Sequence, residues 1–212
     1  MKPTRRIGVF GGAFDPPHMA HIALVKSAIE ELQLDEVFIL PTGHAWHKAH
    51  ALTSPDHRLA MVRYAFEGLS QAVVDEREIR RQGPTYTVDT LEELVAEHPD
   101  AQLFLLIGDD QRRSLSAWRR IGDVVRLAII CAAERNANVA PWNEGQHAMH
   151  ACVDLQVPIR ALHMMPMPVS ATDIRQRLAS GRSVTGLVPA AVERYIHEHH
   201  LYGQRPGKPL DD

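Results

Sequence analysis

The chain has 212 residues, enough for one sizeable α/β domain with a small appended lobe. Its 45% hydrophobic and 23% charged residues are typical of globular proteins, and a net charge of −3 disfavours a polyanion such as nucleic acid as the partner. The longest apolar run, 127–133, is far shorter than the ~20 residues that cross a bilayer, and no secretory leader is recognisable. We therefore expect a cytoplasmic protein without a membrane partner.

Short apolar runs alternate along the chain with segments of helical periodicity. The predicted strands are residues 5–10, 35–40, 71–75, 102–107, 126–132 and 159–164. Helices are predicted after residue 18, over 57–68, after the segment TYTVDT, over 170–181 and within 188–202. This alternation predicts an α/β fold, a Rossmann-like doubly wound parallel sheet of five to six strands with a small C-terminal helical portion. We expect residues 1–202 to form a single domain and residues 203–212 a flexible tail.

The stretch GVFGGAFDPPHMAH, residues 8–21, follows the first predicted strand. Gly11 and Gly12 permit a tight turn and a close approach of ligand to backbone. His18 and His21 can share one face near a helix N-terminus, where N–H groups and the helix dipole favour an anion. These residues alone leave two interpretations open, a strand-to-helix turn with capping histidines or a phosphate site. The GK[ST] ending of a Walker loop is missing, which disfavours P-loop chemistry.

A second helix start lies in PVSATDIRQRLASG, residues 168–181. Ser170 followed by Asp173 matches a capping box. Ser170, Thr172 and Arg175 offer two hydroxyls and a guanidinium at the helix N-terminus, which suits phosphate groups. A well-capped helix without a ligand is the alternative. In doubly wound folds ligands bind at the carboxyl edge of the sheet, so both motifs are candidates for one site.

Several segments resemble a known family. GGAFDPPHMAH resembles the GGTFDPxHxGH signature of the nucleotidylyltransferase superfamily, and VSATDIR resembles its ISSTxIR motif. The segments RRQGPTYTVDTL, LFLLIGDDQ followed by Trp118, and VPAAVERYIHEHHLY are similar to segments of bacterial nicotinate-nucleotide adenylyltransferases. The similarity runs in order from about residue 6 to residue 202.

The resemblance implies a reaction of NAD biosynthesis, in which ATP and nicotinate mononucleotide give deamido-NAD and pyrophosphate. The phosphate of the mononucleotide would attack the α-phosphorus of ATP in line, without a covalent enzyme intermediate. Such chemistry needs positioning and charge neutralisation more than a protein nucleophile. ATP is thus the implied substrate, Mg²⁺ is expected to arrive with ATP, and no protein metal ligand is expected.

Site residues follow from the resemblance, position by position. The catalytic residues implied are those that would contact ATP phosphates and stabilise developing charge: His18, His21 and Arg175. The residues implied for ATP binding lie under the nucleotide or hold its β- and γ-phosphates: Gly11, Gly12, Phe14, Ser170, Thr172 and Arg175. The residues implied for the acceptor are Tyr86, Thr87, Asp110, Trp118 and Lys48. Trp118 would stack on the pyridine ring.

Three alternatives stay open. The same transfer could use nicotinamide mononucleotide or another phosphorylated acceptor such as phosphopantetheine, although TYTVDT and Trp118 argue against it. The protein could be a non-catalytic nucleotide-binding regulator, which the intact His18, His21 and Arg175 disfavour. An RNA-binding module related to HIGH-motif synthetases is disfavoured by the acidic charge balance. A homo-oligomer is left open.

Overall fold

The computed structural model describes residues 4–43, 52–134, 157–165 and 167–203. Within these residues a six-stranded sheet has the order β3-β2-β1-β4-β5-β6, and every adjacent pair is parallel. Its strands are β1 (Arg5–Gly12), β2 (Glu36–Pro41), β3 (Ala72–Val74), β4 (Ala101–Ile107), β5 (Ala128–Glu134) and β6 (Ile159–His163). This is the order of a doubly wound Rossmann-like sheet, so the predicted fold class is confirmed.

Helices cover both faces of the sheet. They are α1 (Met19–Leu32), α2 (Pro55–Phe66), α3 (Arg77–Arg80), α4 (Thr87–Glu97), α5 (Asp109–Arg113), α6 (Ile121–Leu127), α7 (Ala171–Ala179) and α8 (Ala190–Glu198), with a 3₁₀ turn at Leu115–Ala117. Among the described residues, no helix combines the length and the apolar character needed to span a membrane.

Two hydrophobic clusters fill the space between sheet and helices. Side chains alternate along β4, so that Phe104 and Leu106 join one cluster while Leu103 and Leu105 join the other. The first cluster lies under α1, α2, α7 and α8, and the second lies under α4 and α6. Strands buried on both faces read as continuous apolar runs, which is why β1, β2 and β4 were predictable from sequence.

The strand boundaries differ from the sequence-based expectation by one or two residues, and two of the larger shifts have a clear physical cause. The glycine pair was expected to stop the first strand, but β1 continues through it, because Gly11 pairs with Leu40 and Gly12 with Pro41. The fifth strand was expected from residue 126, but β5 begins at Ala128, because α6 runs directly into it. Apolar residues on a buried helix and on the strand that follows it form one uninterrupted run, which hides the boundary.

The site candidates lie at the carboxyl edge of the strands. The chain leaves β1 through α1 to reach β2 on one side, while β4 pairs with β1 on the other side. The end of β1 is therefore the switch point, where crossovers diverge and leave a crevice for a ligand. GGAFDPPH begins at this point and GDD follows β4, its neighbour.

Candidate active site

The two glycines at the end of β1 have different surroundings. A Cβ on Gly12 would lie 3.2 Å from the ring of Phe14, which folds back over it. Among the described residues other than its chain neighbours, the atom nearest to a Cβ on Gly11 would be the carbonyl oxygen of Leu40, at 4.0 Å. The Phe14 ring therefore fills the space beside Gly12, while no described side chain fills the space beside Gly11.

Phe14 is buried in the core. It adopts a left-handed φ of 48°, which is uncommon for a bulky residue, and its ring packs edge-on against Phe10, His21 and Phe66. The contact with His21 has a centroid distance of 5.0 Å. The Phe14 ring thus packs against the His21 ring and limits its movement.

His18 and His21 form a stacked pair at the start of α1. Their ring centroids lie 3.7 Å apart with an interplanar angle of 18°. His18 is the N-cap residue in an extended conformation, and its backbone N–H donates to Nδ1 of His21 over 3.1 Å. An accepting Nδ1 carries no proton, so the proton of the neutral His21 ring lies on Nε2.

His18 is held in its neutral form. It is only 7% exposed, and this burial lowers the pKa of its imidazole to about 4. Its Nδ1 has no hydrogen-bond partner among the described residues. Buried ring nitrogens normally form a hydrogen bond to the protein or to ordered water, so His18 Nδ1 has the capacity for one further bond.

Helix α7 brings the second motif to the same edge. Ser170 Oγ accepts the N–H of Asp173 over 3.2 Å, which confirms the predicted cap. Arg175 donates from Nη1 to the carbonyl oxygen of Asp15 over 2.7 Å, and from Nη2 to Thr172 Oγ1 over 3.4 Å. The structure therefore joins the two motifs that were predicted separately, with Arg175 lying between the glycine-rich loop and the α7 N-terminus.

Asp15 is a buried junction that the sequence analysis did not single out. It is 3% exposed, and its carboxylate accepts the hydroxyl of Tyr202 at Oδ1 (2.5 Å) and the N–H of Thr53 at Oδ2 (3.2 Å). Together with the Arg175 contact, these bonds join three distant parts of the chain. The sequence alone predicts no role for the aspartate of the DPPH stretch.

Arg58 is a second functional candidate that sequence reasoning missed. It is 1% exposed and donates to the carbonyl oxygens of Thr53 (2.9 Å), Ala13 (3.0 Å) and Gly43 (3.2 Å). Burial lowers the pKa of the guanidinium, while the Asp15 carboxylate opposes that shift. Arg58 thus ties the loop after β1 to the loop after β2. An arginine on an amphipathic helix normally indicates a solvent-exposed position, so no sequence signal pointed to it.

The acceptor candidates lie on the other face of the sheet. Tyr86 is the N-cap residue of α4, Thr87 is its first residue, and Trp118 follows the 3₁₀ turn. Tyr86 and Trp118 are half-buried against the cluster under α4 and α6, and the guanidinium of Arg119 lies 4.6 Å from the Tyr86 ring centroid. The structure therefore places these two aromatic rings on one shared core cluster.

Two acceptor candidates lie outside what the structure describes. Lys48 falls in the range 44–51, and Asp110 belongs to α5 without a described side chain. The neighbouring Gln111, which sequence reasoning missed, accepts the N–H of Gly108 (3.1 Å) and donates to the carbonyl oxygen of Gly11 (3.4 Å). Gln111 thus links α5 to the end of β1.

The buried carboxyl group of Glu78 lies against α4. Glu78 Oε1 accepts the hydroxyl of Thr90 over 2.9 Å, and Arg81 donates to the same hydroxyl oxygen over 3.1 Å. Burial raises the pKa of Glu78 to about 7, against the opposing effect of Thr90 and Arg81. The backbone of Glu78 also packs directly on Gly43, where an added Cβ would lie 2.1 Å from its carbonyl oxygen.

Comparison with known proteins identifies close similarities. The family model described as cytidylyltransferase-like matches residues 9–177. A curated relative from Albidiferax ferrireducens, named "Probable nicotinate-nucleotide adenylyltransferase", is 50% identical over 202 residues, which cover 93% of this chain and 98% of the relative. A relative of the same name from Methylibium petroleiphilum is 40% identical over 210 residues, with 97% and 96% coverage.

Solved structures show the same fold. Nicotinic acid mononucleotide adenylyltransferase from Plasmodium falciparum complexed with NaAD matches with a TM-score of 0.71 and 18% identity, covering 93% of this chain and 97% of that chain. The same protein complexed with APC matches with a TM-score of 0.71 and 17% identity over the same shares. At these identities the likeness concerns the fold of the chain rather than its individual side chains.

Proposed function

The chain belongs to the cytidylyltransferase-like family, and we propose that it transfers the adenylyl group of ATP to nicotinate mononucleotide, releasing pyrophosphate and forming deamido-NAD. The main support for the proposal is the junction of the two motifs at the end of β1. There the stacked histidines and the α7 motif meet through the bond from Arg175 to the Asp15 carbonyl. Relatives up to 50% identical bear the name of this activity.

The geometry suits direct transfer between bound substrates. A phosphate oxygen of the acceptor would form the new bond to the α-phosphorus of ATP as the bond to the β-phosphate oxygen breaks, and pyrophosphate leaves with the released charge. His18, His21 and Arg175 would stabilise that charge with donors already in place. The arrival of phosphate would also favour the protonated form of His18, because negative charge beside an imidazole raises its pKa.

The phosphate end of ATP would extend toward α7. Ser170, Thr172 and Arg175 supply hydroxyl and guanidinium groups at a helix N-terminus, where the dipole attracts anions. Gly11 leaves room for the nucleotide beside the backbone of β1. These placements support the assignment of the ATP site to the crevice between β1 and α7.

We place the acceptor on the side of α4. Tyr86, Thr87 and Trp118 would form its pocket, with contributions from Asp110 and Lys48. An aromatic ring beside backbone N–H groups at the start of α4 suits a pyridine carboxylate, since the ring can stack while the N–H groups donate. A neutral amide in that position would place its own N–H donors opposite the backbone N–H donors, so the pocket would favour the nicotinate acid over the nicotinamide.

Mg²⁺ enters the proposal as part of the Mg-ATP substrate. Within the described ranges, no group of three or more His, Cys, Asp or Glu side chains is arranged to hold a metal ion. Phosphate oxygens and water are the ligands that Mg²⁺ usually takes in such sites.

The direct test is pyrophosphate release by the purified protein. Mg-ATP is supplied with nicotinate mononucleotide, nicotinamide mononucleotide or phosphopantetheine in parallel reactions, and we expect the highest kcat/KM with nicotinate mononucleotide. Release with another acceptor alone would overturn the acceptor assignment. Absence of release with all three would favour a nucleotide-binding regulator.

A further inference from the structure

The last described turn of the chain reaches back to the glycine-rich loop. Tyr202 follows α8 and donates its hydroxyl to Asp15 Oδ1 over 2.5 Å, across 187 positions in sequence. Resting on the proposed function, we infer that Tyr202 is a positioning residue, which orients Arg175 for adenylyl transfer by fixing Asp15.

The path from Tyr202 to Arg175 consists of two hydrogen bonds through one residue. The side chain of Asp15 accepts the Tyr202 hydroxyl, while its main-chain carbonyl accepts Nη1 of Arg175 over 2.7 Å. Both groups belong to Asp15, so a donor that holds the buried carboxylate also restricts the backbone around the carbonyl. Loss of the Tyr202 bond should therefore widen the range of carbonyl orientations that Arg175 meets.

Burial makes this donor important. Asp15 is 3% exposed, and a buried carboxylate requires hydrogen-bond donors. If the Tyr202 hydroxyl is removed, water has little access to take its place, so the loss of this donor is costly. Burial and the Asp15 carboxylate raise the pKa of Tyr202, so its phenol keeps its proton and donates throughout the physiological range. The second carboxylate oxygen is held by the Thr53 N–H, so each oxygen has one described donor.

The C-terminal segment is also attached to the core by contacts that do not involve the Tyr202 hydroxyl. Helix α8 is attached to the core by Val192 and Ile196, which are 0% and 1% exposed. The Tyr202 ring itself packs against that same cluster, and a phenylalanine would retain this contact. The hydroxyl is thus separable from the packing that it accompanies.

The experiment compares Tyr202→Phe with a matched control, Tyr195→Phe. Tyr195 also packs against the cluster under α8, but its hydroxyl pairs with Nδ1 of His57 over 2.9 Å, a bond that involves neither Asp15 nor Arg175. For Tyr202→Phe we expect a lower kcat and a higher KM for ATP, giving about a tenfold loss of kcat/KM. The KM for nicotinate mononucleotide should stay unchanged, and Tyr195→Phe should match the wild type in every constant.

A double-mutant cycle with Arg175→Ala tests the path itself. If Tyr202 acts through Arg175, then Tyr202→Phe should change kcat/KM by less than about twofold once Arg175 is removed. A full tenfold loss in the Arg175→Ala background would overturn the inference, as would wild-type kinetics in Tyr202→Phe. A purely structural role would lower the thermal midpoint and the active fraction while leaving the KM for ATP unchanged.

Failure of the proposed function would look different. If the wild type releases no pyrophosphate with any acceptor, ATP affinity measured by calorimetry replaces turnover as the readout for the same variants. A weaker affinity in Tyr202→Phe but not in Tyr195→Phe would then support the positioning role. Equal affinity in both variants and the wild type would overturn it.

Discussion

His21 combines two properties that suit contact with a phosphate oxygen. Its Nδ1 accepts the backbone N–H of His18, which fixes the proton of the neutral ring on Nε2. The ring is held against Phe14 and stacked on His18, so few orientations remain open to it. Orientation of this kind lowers the reorganisation that the transition state would otherwise require.

Replacement of His21 tests this arrangement. His21→Ala removes the oriented donor, and we expect kcat to fall by about 10²–10³-fold, as for other preorganised donors. Steady-state pyrophosphate release measures the loss, and thermal unfolding checks that the fold remains. His197→Ala, a change at an exposed histidine of α8, should behave like the wild type. Near-normal turnover in His21→Ala would remove His21 from the site.

At the scale of elements, the continuation of β1 through its glycine pair determines how the loop meets a ligand. Because Gly11 and Gly12 still pair with β2, the backbone reaches the sheet edge in an extended conformation and turns only afterwards. Gly11 has open space beside it and Gly12 has a ring beside it. The two glycines of one motif therefore have different surroundings, and only the space beside Gly11 fits the nucleotide site that we propose.

Gly11→Ala separates these two purposes. Among the described residues other than its chain neighbours, the new methyl group meets no atom nearer than 4.0 Å, so we expect the free energy of unfolding to change by less than about 1 kcal/mol. The KM for ATP should rise about tenfold or more, because the methyl enters the space assigned to the nucleotide. Gly68→Ala, where an added Cβ meets nothing within 4 Å, is the control for a glycine outside the site. Unchanged KM values in Gly11→Ala would show that no substrate approaches this position.

For Gly43→Ala we predict the opposite result, a large loss of stability. Its Cβ would lie 2.1 Å from the carbonyl oxygen of Glu78, a backbone atom that cannot move without shifting α3. We expect the free energy of unfolding to fall by about 3 kcal/mol, as for overpacking in a tight contact. Urea unfolding monitored by circular dichroism measures the change. A wild-type midpoint would mean that α3 and the loop after β2 separate easily.

The sequence predicted the strands, which are short apolar runs, and the longer helices, which show helical periodicity. It missed the short elements α3, α5, α6 and the 3₁₀ turn, which have too few residues to show a period. Ser170 was predictable as a cap because capping is local. Arg58 and the pair of Asp15 and Tyr202 were not predictable, since their roles depend on contacts between segments far apart in sequence.

At the scale of the whole molecule, two buried groups give opposite pH dependences of stability. Burial lowers the pKa of His18 to about 4, so between that pH and the ordinary value of 6.5 only the unfolded chain binds its proton. Burial raises the pKa of Glu78 from 4.5 to about 7, so in that interval only the folded chain binds its proton. Stability therefore rises with pH through His18 and falls with pH through Glu78.

The two contributions overlap and nearly cancel between about pH 4.5 and pH 6.5. Each amounts to about 3 kcal/mol over its full interval, at about 1.4 kcal/mol per unit of pKa. The wild type should consequently show little net slope from these two groups in that range. A single substitution at either position should expose the slope of the other.

Glu78→Gln and His18→Asn provide that comparison. From pH 4.5 to pH 7 the free energy of unfolding of Glu78→Gln relative to wild type should rise by about 3 kcal/mol. The reason is that the wild type loses stability as its buried carboxyl ionises, whereas the variant has no such carboxyl. From pH 4 to pH 6.5 that of His18→Asn relative to wild type should fall by a similar amount, because the variant lacks the imidazole that must lose its proton to fold. Urea unfolding at half-unit pH steps gives both differences, and other titrating groups cancel in them.

Glu67→Gln, which removes an exposed carboxyl at the end of α2, controls for the loss of one negative charge. Differences that stay constant with pH would show that neither group is buried in solution as the structure places it.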